Sequence, residues 1–265
     1  MNKMALLVLK LSEVQKPELK DDEVIKNISI LKEMEKMIPN KETARLAGFL
    51  WLLMFVFGPI AQIIRDKLFV TSDMAATANN IMANEFLFRL GFVSDLIMMI
   101  IFMLLPLVLY KLLSTVNKNL SILMVIFVII GTSINMINLL NEFASLQLLS
   151  GAEYLSVFDV AQLKAKAMLS YDLYLHGYEI ANIFFALWLV PLGLLVYKSD
   201  FLPRALGIFL IVGGSGLLIN VFVHFLFPSY LIVNTILQIP QTLAEALFTL
   251  WILIRGINES KVKLV

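Results

Sequence analysis

Between Ala205 and Ala244 the chain carries no Asp, Glu, Lys or Arg. Such a stretch belongs in lipid, and it is too long for one crossing, since about 30 Å of hydrocarbon is spanned by roughly 20 apolar residues. Phe227-Pro228-Ser229-Tyr230 divides it, because proline lacks an amide donor and fixes its own φ. The two halves predict helices at Leu206–Phe225 and about Leu231–Ile254. The same criterion places four earlier helices at Leu46–Ile64, about Phe86–Tyr110, Leu120–Asn141 and about Tyr174–Tyr197. With 60% hydrophobic and 15% charged residues, the whole chain fits this class. The expected fold is all-α, a six-helix transmembrane bundle.

Positive charge orients it. Lys41, Arg45, Lys111, Lys118, Lys198, Arg204, Arg255, Lys261 and Lys263 fall on one side of the expected bundle. They outnumber Arg65, Lys67, Arg89, Lys164 and Lys166 on the other, which places both termini in the cytoplasm. A net charge of +1 gives no basic field for nucleic acid, and no such partner is expected. The chain has no cysteine, so disulfides and thiolate metal ligands are excluded.

Three organisational regions are expected: an N-terminal extension 1–40, a transmembrane domain 41–258 and a tail 259–265. Met4–Leu9 is too short for a signal-peptide core and is closed by Lys10, so a cleaved signal is not expected. Within Asp22–Ile38, Val24, Ile25, Ile28, Leu31, Met34 and Ile38 recur at helical spacing, predicting an amphipathic helix. On the outer side, Asp73 predicts the cap of a helix through Met74–Asn84 that merges with the second span or stops before it. Ser156 and Asp159 predict a second short outer helix with Phe158, Leu163, Ala167 and Met168 on its apolar face.

Several of these segments resemble a known family. Ala75-Ala76-Thr77-Ala78-Asn79-Asn80, followed by Phe88-Arg89-Leu90-Gly91 and Asp95-Leu96, is similar to bacterial membrane proteins of domain-of-unknown-function family 4386. Tyr197-Lys198-Ser199, Phe201-Leu202-Pro203-Arg204 and Gly207 resemble that family's link between the fourth and fifth helices. The likeness runs from about Lys41 to Asn258. It implies a multi-pass protein of the bacterial inner membrane and no inherited catalytic residue.

Polar residues inside the spans point to a site. Asp172, His176, Glu179 and Asn182 share a face of the fourth helix, and Asn234, Gln238, Gln241, Glu245 and Thr249 a face of the sixth. The third contributes Asn135, Asn138, Glu142 and Ser145, the fifth Asn220 and His224, the second Asp95. Alternate helices run in opposite directions, yet all these residues fall in the non-cytoplasmic half. Ionisable groups cost about 2.5–3.5 kcal/mol at a span's centre, so each marks a functional hypothesis.

The expectation is a polar pocket open to the non-cytoplasmic side with a dry floor. Asp95, Asn138, Glu142, His176, Glu179, Asn182, Asn220, His224, Gln241 and Glu245 would line it, and a small molecule or lipid headgroup would occupy it. The bland alternative is interhelical glue, worth about 0.6 kcal/mol per bond. A metal-dependent intramembrane hydrolase is another alternative, with His176, Glu179 and His224 holding zinc or iron. A proton-coupled transporter working through Glu245 is the last, although no internal repeat supports it. The lipid bilayer is the one partner the composition requires, and the oligomeric state is not legible.

Overall fold

The computed structural model describes residues 38–227 and 231–262, with side chains throughout except at 231–235. The expected amphipathic helix of Asp22–Ile38 (but for its last residue), the Pro228–Tyr230 break and the Asn234 side chain lie outside these bounds. Among the described residues the fold is all-α, with seven α-helices and no strand. They are α1 (Lys41–Leu68), α2 (Met74–Ala83), α3 (Glu85–Leu113), α4 (Lys118–Leu148), α5 (Val160–Lys198), α6 (Arg204–Leu226) and α7 (Leu231–Ile254). All but the short α2 are long and apolar enough to cross a membrane.

Local chemistry sets most boundaries. Asn40 starts α1 by accepting from the Thr43 amide at 2.7 Å, and Asp73 starts α2 by accepting from Ala75 and Ala76. Asn117 does the same for α4 through Leu120. A backbone break at Asn84 (φ −130°, ψ 41°) separates α2 from α3, so these helices do not merge. Past α7, Gly256 takes φ +65°, the left-handed conformation that stops a helix and favours glycine.

The outer segment after Ser156 differs from expectation. Asp159 caps with Gln162 in a reciprocal capping box, but the helix it starts does not end before the fourth span. It continues unbroken to Lys198, 39 residues in all. At 1.5 Å per residue this rod is about 58 Å long, well beyond the hydrocarbon thickness, so part of it stands outside.

The spans form a ring. Each neighbour in the order α1, α3, α4, α5, α6, α7 packs on the next, and α7 closes on α1. Glycine permits the closest approaches. A Cβ on Gly48 would sit 2.9 Å from the Leu253 Cα, where α7 closes on α1, and Gly193 and Gly207 face each other's carbonyls across α5 and α6. The outward faces carry Leu46, Phe49, Ile63, Ile100, Leu104, Ile137, Phe209 and Val212, all exposed. An apolar exterior of this extent is a lipid-facing surface, and the chain is a multi-pass membrane protein.

Inside the ring, two zones are stacked. We call the end where α1 finishes and α3 begins distal, and the end near Lys41 and Ile254 proximal. The middle is filled by Trp51 of α1, whose ring lies 5.1 Å from Trp188 of α5 and 5.5 Å from Phe248 of α7. Phe102 of α3 joins at 5.3 Å from Trp188. Proximal to this aromatic layer the interior is leucine and valine, with Leu105, Leu109, Leu112, Leu189, Leu192 and Val196 fully buried. The buried charged and amide side chains are distal to it.

Candidate functional site

The centre of the distal half is a cation that the sequence reading assigned to a loop. Arg65 lies in the last turn of α1, buried, and its Nη1 donates to Asp95 Oδ2 of α3 and to Glu142 Oε1 of α4, both at 2.8 Å. All three side chains are 5–6% exposed. Its guanidinium carbon lies 4.9 Å from the centroid of the Tyr174 ring on α5. One residue therefore ties four helices together. A buried guanidinium is tolerated because its charge is paired and hydrogen-bonded.

Around this cluster the polar groups lock helices to one another. Asn138 Nδ2 donates to the Tyr174 carbonyl at 2.8 Å, and Ser145 Oγ to the Ala167 carbonyl at 2.8 Å, both from α4 to α5. Asn138 fits because Gly177 has no Cβ; one built there would collide with the Asn138 amide. Tyr171 and Tyr174 follow along α5, and Tyr171 stacks at 3.7 Å on Phe69 just beyond α1. Glu142 Oε2 and Asn220 Oδ1 are buried without a hydrogen-bond partner among the described residues.

A second group of carboxylates has different company. Glu245 on α7 accepts from Gln241 Nε2 at 3.0 Å and from the Trp51 indole at 3.4 Å. Glu179 on α5 accepts from Asn182 Nδ2 at 3.2 Å. Both glutamates are only partly buried, and neither forms an ion pair among the described residues. Tyr178, one residue before Glu179, lies within electrostatic reach of Asp95, Glu179, Glu245 and Arg65.

The histidines form a third set. His176 Nδ1 and His224 Nε2 are 3.2 Å apart, joining α5 to the last turn of α6. Glu179 is not drawn into this pair: among the described residues no three His, Asp or Glu side chains converge as a metal-holding group. The ten expected site residues thus divide into the Arg65 cluster with Asn138, the Glu179/Asn182 and Gln241/Glu245 pairs, the two histidines, and Asn220. Two surface depressions, of about 600 and 390 Å3, lie at the proximal end instead. Ser199, Pro203, Arg204 and Lys261 line the first, and Lys41, Phe201, Trp251 and Gly256 the second.

Arg65, Trp51 and the contact made by Tyr174 went unassigned in the sequence. A signal for Arg65 was present: two carboxylates in the same half of the bundle need a cation, and Arg65 directly follows the last apolar residue of the first span.

The comparison with known proteins turns on residues 46–256, which match the family model "Domain of unknown function (DUF4386)". The chain belongs to the DUF4386 family. The match takes in the six spans but for the first five residues of α1, so the Arg65 cluster and both glutamate pairs lie inside the DUF4386 domain. An uncharacterized protein of Archaeoglobus fulgidus is similar at 28% identity over 154 residues, 58% of this chain and 76% of the archaeal protein. No solved structure matches the chain.

Proposed function

We propose that this DUF4386 protein binds a small organic cation, free or as the amine headgroup of a lipid, in the distal half of the bundle. Glu179 and Glu245 are the recognition groups. The observation that carries this reading is the contrast between the two carboxylate groups. Asp95 and Glu142 are sealed and share Arg65, whereas Glu179 and Glu245 are partly exposed and meet only neutral amide and indole donors. A carboxyl that meets only neutral donors in a low-dielectric layer gains most in its charged form from a cation supplied from outside. Tyr178 adds an aromatic face of the kind that attracts ammonium groups. Asp95, Asn138, Glu142 and Asn220 then serve as the frame of the site. The apolar, aromatic-plugged proximal half favours binding from one side over a transport path. The excess of Lys and Arg at the proximal end supports a reading in which both termini face the cytoplasm of a bacterial inner-membrane protein.

The test is thermal unfolding of detergent-purified protein with added short-chain phosphatidylethanolamine, short-chain phosphatidylglycerol or free ethanolamine. A ligand at 100 times its Kd stabilises by about 2.7 kcal/mol, which is roughly 5–10 °C for a chain of this size. The amine lipid or the free amine is expected to raise the midpoint, and Glu179→Gln/Glu245→Gln to abolish the rise. Equal responses to the amine and glycerol lipids, or a rise that survives the double substitution, would refute the reading.

A further inference from the structure

The chain contains two histidines in 265 residues, and the fold brings them face to face from different helices. His176 stands on α5, 16 residues past its first residue, and is exposed; His224 is partly exposed in the last turn of α6. We infer that His176 and His224 form a two-imidazole chelate for a first-row divalent transition cation, Zn2+, Ni2+ or Cu2+, at the distal rim where α5 meets α6. This inference stands apart from the Glu179/Glu245 reading, since neither glutamate is needed for it.

The separation of the facing nitrogens is that of two ligands on one ion. Two Zn–N bonds of about 2.0–2.1 Å at the tetrahedral angle put their nitrogens about 3.3 Å apart; the observed spacing is 3.2 Å. An imidazole hydrogen bond would give a similar distance, so the choice rests on the surroundings. Among the described residues, each ring's polar partner is the other ring. Phe225 flanks both, its centroid 5.1 Å from that of His224 and 6.1 Å from that of His176, which limits how the rings turn. His176 is exposed and His224 partly so, which leaves room for further ligands such as water. Neutral imidazole suits Zn2+, Ni2+ and Cu2+, and the chain offers no thiolate to compete. Because the ligands come from two helices, the bound ion would cross-link α5 to α6 at that end.

Full-length protein purified without a polyhistidine tag would be titrated with Zn2+, Ni2+ and Cu2+. One ion per chain is expected, bound more weakly in His176→Asn and in His224→Asn by at least the roughly 10–100-fold that loss of even a supporting partner brings. Zn2+ should raise the thermal midpoint of the unsubstituted protein and leave both variants unchanged. If either variant fails to fold, the Cu2+ electron paramagnetic resonance spectrum of the unsubstituted protein decides. Superhyperfine coupling to two imidazole nitrogens supports the chelate. Absence of imidazole coupling, or metal binding that persists undiminished in the variants, overturns it and leaves a hydrogen-bonded histidine pair.

Discussion

At the residue scale, Arg65 controls what the two central acids do. Removing it strands Asp95 and Glu142 against each other in a dry interior, and loss of one partner from a buried ion cluster costs about 3–5 kcal/mol. Arg65→Met is therefore expected to lower the unfolding free energy in detergent by about that much. Arg65→Lys keeps the charge and should lose less, while Arg65→Met/Asp95→Asn/Glu142→Gln should recover part of the loss because no unpaired charge remains. An Arg65→Met protein as stable as the parent would show that the cluster carries no structural weight. Asp95 and Glu142 were legible as intramembrane acids because their costs are local and visible in any hydropathy pattern. Arg65 was not assigned, because a cation one residue beyond an apolar run reads as the start of a loop unless it is weighed against the acids that need it; its burial places it inside.

At the scale of elements, α4 and α5 meet most tightly where Gly177 leaves room for the Asn138 side chain. Gly177→Ala forces that amide aside and breaks its bond to the Tyr174 carbonyl. Overpacking of this kind costs about 1–3 kcal/mol, to be read as a lowered unfolding midpoint. Asn138→Ala also destabilises, but adding Gly177→Ala to it should then cost little, since the colliding group is gone. Full additivity would exclude the contact. The helix α5 itself was only half readable. Its cap at Asp159 and its apolar run after Tyr174 were both visible, but Lys164, Lys166 and Asp172 between them suggested a surface segment separate from the span. No proline interrupts before Pro191, so hydrogen bonding simply carries the helix through.

For the whole molecule, the number of spans was legible because charge clusters bound each apolar run. The way the ring closes was not, since no local pattern states which surfaces meet across 200 residues. The closure makes its own prediction. A Cβ on Gly48 would stand 3.0 Å from that of Leu253, close to disulfide reach, and the chain has no other thiol to interfere. Gly48→Cys/Leu253→Cys is expected to oxidise to a cross-linked species of altered electrophoretic mobility. Gly58→Cys/Leu253→Cys should stay reduced, because Gly58 faces Met98 on α3. Cross-linking of both pairs, or of neither, would mean that α7 does not close on α1.

The contact between Trp51 and Glu245 gives the bundle an optical property. Of the three tryptophans, Trp251 is 39% exposed on the outside, while Trp51 and Trp188 lie together in the aromatic layer. The Trp51 indole N–H faces a carboxylate, and its ring is coupled to a second indole 5.1 Å away. Indole emission shifts with the charge beside it. Whatever neutralises Glu245 therefore changes the colour and yield of light from the dry centre of the protein, and an unlabelled sample carries its own reporter of events in the polar half.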